Sequence, residues 1–430
     1  MAEHRELYWE PTQGRGLVAR DRRGGRYPAY VPDTLCTRPI HIPAELSISA
    51  ASVERQIHGL AVGPRAKSLE GISRFLLRSE AIASSMIEGI APSPQQVAIA
   101  ELAQEERIRG FSAQAGLVAN NITVLRRAAL ELVQAPEVTV GDIIELHSSL
   151  LPDEQHHGLR TVQNWIGGSN WNPLDADFVP PPADAVPDLM DDFVTYLNGS
   201  SHGPLIQAGL VHAQFETIHP FTDGNGRVGR ALIHTVLARR GLAPRAILPV
   251  SLVLATLRDS YIGGLTAFRY IGGPLSDPAV SGVATWLSRF VHAARIAVEQ
   301  AERLAGEVDL LREEWNRRLA DWRAEQRMRP EPRSGSATAR LLGMLPEAPM
   351  LTARTVQRLL DVSFPRARDA LEELAEAGVL SRKSVDRGTT GYVAREVLDL
   401  VGLAERRLAS TRFDTRVSKP IRSVPALPEQ

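Results

Sequence analysis

HPFTDGNGRVGRALIH, residues 219–234, decides how this chain reads. Upstream, LIQAGLVHAQFETIHP (205–220) has an apolar helical rhythm that must stop at Pro220, which lacks an amide proton and clashes with the preceding turn. Downstream, RVGRALIHTVLARRG (227–241) resumes a helix that ends at Gly241. Asp223-Gly224-Asn225-Gly226 therefore occupies the turn at the N-terminus of the second helix. Such a terminus presents unpaired N–H groups and the positive end of the helix dipole, and glycines let an anion approach the backbone. Arg227 and Arg230, three residues apart, share a helix face aimed at the same anion, and two guanidinium groups suit a polyphosphate better than one phosphate. Asp223 supplies a hard oxygen ligand for Mg²⁺, which binds through one or two carboxylates plus substrate phosphates. His219 titrates near neutral pH and can take a proton from an incoming nucleophile. Each residue alone has an ordinary structural reading; together, within twelve residues, they supply a base, a metal ligand and an anion cradle.

Outward from this turn the pattern is mainly α. Residues 140–300 read as a helical core, interrupted by GLRTVQNWIGGSNWNPLDADFVPPPADAVP (158–187), whose Gly, Asn, Asp and Pro content fits a small β-hairpin flap and a loop. Residues 47–139 read as a helical region; in SLEGISRFLLRSEAIASSMIEGI, Ile72, Phe75, Leu76, Ser79, Ile82 and Met86 recur at helical spacing over about 68–89. Residues 1–46, rich in Arg, Gly and Pro, read as an extended arm without regular structure. After 300, Leu304, Val308, Leu311, Trp315, Leu319 and Trp322 form an apolar stripe on a long helix, followed by a linker to 335. Fewer than three full heptads favour packing on the chain itself over a coiled-coil partner. Residues 336–400 give three short helices and a β-branched segment around a glycine turn, the order of a winged helix-turn-helix, and 401–430 read as a flexible tail.

Bulk properties narrow the classes. In 430 residues, 43% hydrophobic and 23% charged with formal net charge −1, nothing marks a protein that coats nucleic acid or anionic membrane. The single cysteine, Cys36, makes no internal disulfide, and no run reaches the roughly 18 apolar residues of a membrane helix. A cytoplasmic protein without membrane partners is expected.

HPFTDGNGRVGR resembles the Fic family motif, H-x-F-x-D/E-G-N-G-R-x-x-R, at every defined position, and the likeness spans roughly 140–300. The resemblance implies a Fic helical bundle that transfers AMP from ATP to a Tyr, Ser or Thr hydroxyl of a target protein. His219 would be the general base, Phe221 the loop's anchor in the core, and Asp223 the Mg²⁺ ligand. Gly224, Asn225 (with its side chain) and Gly226 would cradle phosphate oxygens, and Arg227 and Arg230 would neutralise the triphosphate. The flap at Ile166, Gly167 and Gly168 would align the target by strand-like pairing. Ser84-Ser85-Met86-Ile87-Glu88-Gly89 resembles the family's inhibitory pattern S/T-x-x-x-E-G/N, with Ser84 and Glu88 on one helix face and Glu88 paired to Arg230. In some relatives that glutamate supports removal of AMP, and homodimers recur. Doc-like relatives, which transfer phosphate, place a lysine where Gly226 stands here. A different class of reading makes the C-terminal segment, with Arg366 and Arg368 at the start of its third helix, a DNA-binding regulator.

Overall fold

The computed structural model describes residues 1–411 apart from 12–15, 38, 64–65, 107, 154, 156 and 244–246. At its centre lies α8 (Pro204–Ile218), in which every residue from Leu205 to Ile218 is buried. A helix that is apolar on all sides must be surrounded. Around it stand α1 (Ala44–Val62), α7 (Val186–Gly199), α9 (Asn225–Arg239), α11 (Arg258–Phe268) and α12 (Asp277–Glu325). Helix α9 is buried from Asn225 to Ala238, so the polar residues of the glycine-rich turn enter an apolar bundle. α2 (Ala66–Glu70), α3 (Ser73–Ile87), α4 (Pro94–Glu105), α5 (Ala113–Arg126), α6 (Val140–Leu150) and α10 (Val250–Thr256) complete the bundle. The helical pattern at about 68–89 is thus broken at Gly71–Ile72, and the longer piece ends one residue before Glu88.

The N-terminal arm differs from expectation. Residues Glu3–Trp9 (β1) and Gly25–Val31 (β2) pair antiparallel from Glu3↔Val31 to Trp9↔Gly25. The hairpin has a distant partner: Tyr27, Ala29 and Val179 form an apolar cluster with Leu7, Trp9 and Trp165. The flap, expected as a hairpin, has a single bridge between Ile166 and Phe178. Consecutive left-handed glycines, Gly167 (φ 77°) and Gly168 (φ 72°), turn the chain away before a ladder can extend.

Helix α12 runs unbroken through residue 300, so the expected domain boundary lies inside it. Its stripe packs within the chain: Leu304, Val308, Trp315 and Leu319 are buried, and Leu311 and Trp322 are partly so. Beyond it come α13 (Ala337–Met344), β3 (Met350–Thr352), α14 (Ala353–Leu360), α15 (Phe364–Glu376), β4 (Ser381–Asp386) and β5 (Thr389–Val393), with sheet order β3-β5-β4. This sheet meets α4 through Met350, Val385 and Val393 against Ala98, Ile99 and Leu102. Residues 395–411, expected as the end of the winged-helix segment to 400 and the start of a tail from 401, form one helix, α16 (Arg395–Thr411), with Val397, Val401, Ala404 and Leu408 buried on one face. The rest of that tail, 412–430, lies outside the described residues. No described helix is long and apolar enough to cross a membrane.

Trp315 is fully buried, and its indole N–H donates to Glu396 Oε2 at 2.8 Å, joining α12 to α16. Trp315→Ala is expected to cost about 3–5 kcal/mol in a urea titration; a loss below about 1 kcal/mol would mean that this seam carries no packing energy.

Candidate active site

The site is built on the break between α8 and α9. His219 ends α8 in the left-handed region (φ 51°, ψ 59°), its N–H donating to Phe215 O at 2.9 Å. Gly224 (φ 79°) opens α9, and no side chain caps that terminus. Phe221 anchors the loop as expected: it is fully buried and stacks on His147 with centroids 3.8 Å apart. Asn225 departs from its expected role. Its Oδ1 accepts from Phe221 N–H and its Nδ2 donates to Phe221 O, both at 2.8 Å, so the amide shapes the loop and leaves only its backbone to face an anion.

Arg227 and Arg230 are 2% and 1% exposed, and the contrast between them defines the site. Arg230 is engaged through two of its nitrogens. Its Nε donates to Ser84 Oγ (2.9 Å) and its Nη2 to Ser84 O (2.8 Å) and Glu88 Oε1 (2.6 Å). Burial works most strongly against its charge, but Glu88, Tyr261 and Glu216 together hold its pKa above the usual arginine value. Arg227 has only a loose approach to Asp223 (3.7 Å), and its buried Nε and Nη1 have no hydrogen-bond partner among the described residues. Burial lowers its pKa, with Asp223 and Glu88 acting in the opposite direction. Buried donors left unpaired are costly, and these two await an acceptor.

Glu88 stands where an anion would. A Cβ on Gly226 would fall 2.0 Å from Glu88 Oε1, so the carboxylate lies against the first turn of α9. Ser84 and Glu88 of the predicted inhibitory pattern are thus brought to Arg230, with Glu88 at the C-cap of α3 and not within it, while Gly89 follows without touching the arginine. Asp223 is the exposed member of the set, with a side chain 61% accessible and Oδ1 accepting from Gly224 N–H at 2.5 Å. Among the described residues, no group of three or more His, Cys, Asp or Glu is placed to hold a metal ion.

Burial, with Arg269 and Arg160 adding to it, pushes His219 down to about 4, although Glu88 and the backbone of Glu216 pull the other way. The ring is therefore neutral at physiological pH, the form a base requires. Several neighbours escaped the sequence reading. His147 Nε2 donates to Asp223 O at 2.9 Å, and burial lowers the ring to about 4. Glu216, one turn before His219, is pushed up to about 7 by burial. Arg269 lies 3.4 Å from the Phe178 ring centroid. Each is a lone polar residue on an apolar stretch, a pattern that usually marks a satisfied core group; only the density of such residues across 212–219 offered a signal. Ile166, Gly167 and Gly168 lie on the exposed edge of the flap, and both backbone groups of Ile166 already bond to residues 177 and 178.

Residues 137–237 match the Fic/DOC family. The protein adenylyltransferase fic-1 of Caenorhabditis elegans is 33% identical over 145 residues, 31% of this chain and 27% of that protein. The protein adenylyltransferase Fic of Drosophila ananassae is 40% identical over 119 residues, 26% of this chain and 22% of that protein. The chain thus spans about a quarter of the length of these curated relatives, 27% and 22%. A solved structure of a Fic family protein from Desulfovibrio desulfuricans G20 aligns with a TM-score of 0.48 at 22% identity, covering 83% of this chain and 98% of that one.

The Glu88 carboxyl feels burial first, which would raise its pKa, but Arg230, Arg227 and His219 together hold it below the usual value. A depressed carboxyl stabilises the fold fully above its unfolded pKa of about 4.3 and loses that contribution as pH falls through the folded value. The difference in thermal midpoint between wild type and Glu88→Gln is therefore expected to shrink in favour of the variant between pH 7 and pH 3.5, read by circular dichroism. A constant difference would show that Glu88 is not held as an ion.

Proposed function

With a Fic/DOC domain at residues 137–237, we propose that this chain transfers AMP from ATP to a Tyr, Ser or Thr hydroxyl of a target protein, and that Glu88 restrains the reaction. The observation that carries this reading is the pair of unpartnered buried nitrogens on Arg227 beside a helix N-terminus, next to an Arg230 whose anion is supplied internally by Glu88. A carboxylate there stands in for phosphate oxygens. It denies Arg230 to the γ-phosphate and holds ATP, if it enters, with its α-phosphorus turned from attack.

In the proposed reaction neutral His219 takes the hydroxyl proton, the target oxygen bonds to the α-phosphorus, and the bond to the departing pyrophosphate breaks. Arg227, Arg230 and the N–H groups of α9 disperse the charge, so catalysis rests on positioning and electrostatics. Asp223 would hold Mg²⁺, whose chemistry when bound is to neutralise phosphate charge; one exposed carboxylate beside the anion cradle fits the one or two that this ion takes. Gly226 supports nucleotidyl over phosphate transfer, because any side chain there would fill the cradle. The flap edge at Ile166, Gly167 and Gly168 would guide the target chain. Residues 337–393, with the helix and strand order of a winged helix, are read as a contact module. Two of their arginines are neutralised, Arg382 by Glu372 and Glu376 and Arg358 by Glu105, while Arg366 and Arg368 stand exposed at the start of α15. The neutralised pair favours a protein partner over DNA.

Incubation with Mg²⁺ and α-³²P-ATP in a cell lysate tests the reading. Glu88→Gly is expected to raise labelling by at least about tenfold, a change of about 1.4 kcal/mol in barrier, and His219→Ala in that background to lower it by about 10²–10⁴-fold. Label that is equal in wild type and Glu88→Gly would remove the restraint, and label that survives His219→Ala would remove the base. Because His219 titrates near 4, kcat/KM of Glu88→Gly should stay level from pH 8 to about 5.5. A fall centred near 6.5, the ordinary histidine value, would show that the ring is not buried as described.

A further inference from the structure

Four consecutive carbonyls, those of Ile218, His219, Pro220 and Phe221, accept hydrogen bonds from two residues at the base of the flap. Arg160 Nη2 donates to Ile218 O (3.3 Å), Arg160 Nε to His219 O (2.9 Å) and the Arg160 backbone N–H to Pro220 O (2.8 Å). Asn164 Nδ2 donates to His219 O (3.3 Å) and Phe221 O (2.9 Å). Arg160 also turns back on the flap, Nη1 donating to Val162 O (3.2 Å) and Nη2, shared with Ile218 O, to Pro181 O (2.6 Å). Arg160 is 3% exposed and, among the described residues, has no ion pair: its guanidinium is spent on carbonyls alone.

Burying an arginine without a carboxylate is expensive, and a left-handed, non-glycine backbone at His219 is strained. The two expenses coincide in space. A guanidinium that bonds carbonyls on both sides of one strained peptide fixes that peptide's orientation, and with it the direction of the imidazole. We propose that Arg160 and Asn164 are positioning residues, a clamp that sets the left-handed His219 for attack and ties its aim to the flap. Asn164 lies two residues before Ile166, so a target chain seated on Ile166–Gly168 braces the clamp directly. This inference rests on the AMP-transfer reading for its activity readout, but the clamp itself can be observed without it.

The test uses the full chain carrying Glu88→Gly, with Arg160→Lys, Arg160→Met or Asn164→Ala added. Each is expected to lower kcat for AMP transfer by about 10²-fold, the cost of a misplacement of roughly 1 Å, while the Kd for ATP stays within about twofold. The pH profile separates placement from charge. Arg160→Lys keeps a cation near His219 and should leave the acid limb of kcat/KM where it was, whereas Arg160→Met removes a charge that depresses His219 and should move that limb to higher pH. A kcat within about twofold of the parent, or ATP binding that weakens in step with kcat, would overturn the clamp. Deuterium uptake over residues 215–222 gives a readout free of chemistry, with Asn164→Ala as the milder variant if Arg160→Met does not fold. Faster uptake there, with the rest of α8 and α9 unchanged, supports the clamp even if the parent transfers nothing, in which case the reading of function fails alone. Unchanged uptake overturns it.

Discussion

Two guanidinium groups enclosed in an apolar helical bundle, Arg227 and Arg230, set the terms for the structure around them. A buried cation must be paired or hydrogen-bonded, and helix α9 buries both within its first two turns. Arg230 is answered by Ser84 and Glu88, which requires α3 to reach the centre of the bundle and end there. Arg227 is answered only in part, which is the feature on which the proposed anion site at the first turn of α9 rests. Gly226 follows from the same constraint, since a side chain at that point would collide with whatever oxygen faces the two arginines.

The helix that carries Glu88 is held firmly along its length. Glu80 is fully buried and accepts from His234 Nε2 on α9 and from the N–H and hydroxyl of Ser251 on α10. Asn121 on α5 donates to Ala81 O and Ser85 Oγ. Arg78 pairs with Glu101 on α4 and donates to Glu347 O, at the edge of the C-terminal sheet module. Each removal of such a partner would strand a buried polar group. The body of α3 is thus part of the core, and the carboxylate is an appendage at its end. Gly89 follows in a left-handed turn that closes the helix, its N–H donating to Met86 O (2.9 Å) and that of Ile90 to Ser85 O (3.0 Å).

What could be read from the sequence divides along the range of the forces involved. The turn at 219–230 was legible because its glycines, proline, histidine and arginines act on neighbours within a few residues, whereas Ser84 and Glu88 were legible through their resemblance to a family pattern, their spacing placing them only on one helix face. The hairpin of residues 3–9 and 25–31 was not, since its strands are separated by a Gly- and Arg-rich stretch and its apolar face is completed by Trp165 and Val179. Asn225 looked like a phosphate ligand because of its place between glycines; its amide instead matches the N–H and C=O of Phe221, a geometry that spacing does not reveal. Arg160 and His147 each looked unremarkable because their partners, the carbonyls of residues 218–223, come together only when α6, the flap and α8 pack. The face Val397, Val401, Ala404 and Leu408 had helical spacing throughout, and the tail reading gave it too little weight.

The same distinction explains how the flap keeps its shape. With one bridge between its two arms it has almost no ladder of its own, and an isolated pair of strands is marginal in water. Its order must come from below. Trp165 meets Trp9 edge-on at 5.2 Å, Tyr30 N–H donates to Val179 O at 2.9 Å, and Asn172 Nδ2 donates to Arg20 O and Asp21 O. On the bundle side Arg269 lies over Phe178, and Arg160 and Asn164 hold the base of the flap to the peptide of His219. An edge fixed in this way from both sides leaves Ile166, Gly167 and Gly168 facing outward on a rigid support. The N-terminal hairpin, although remote from residues 219–230 in sequence, therefore belongs to the same mechanical unit as His219.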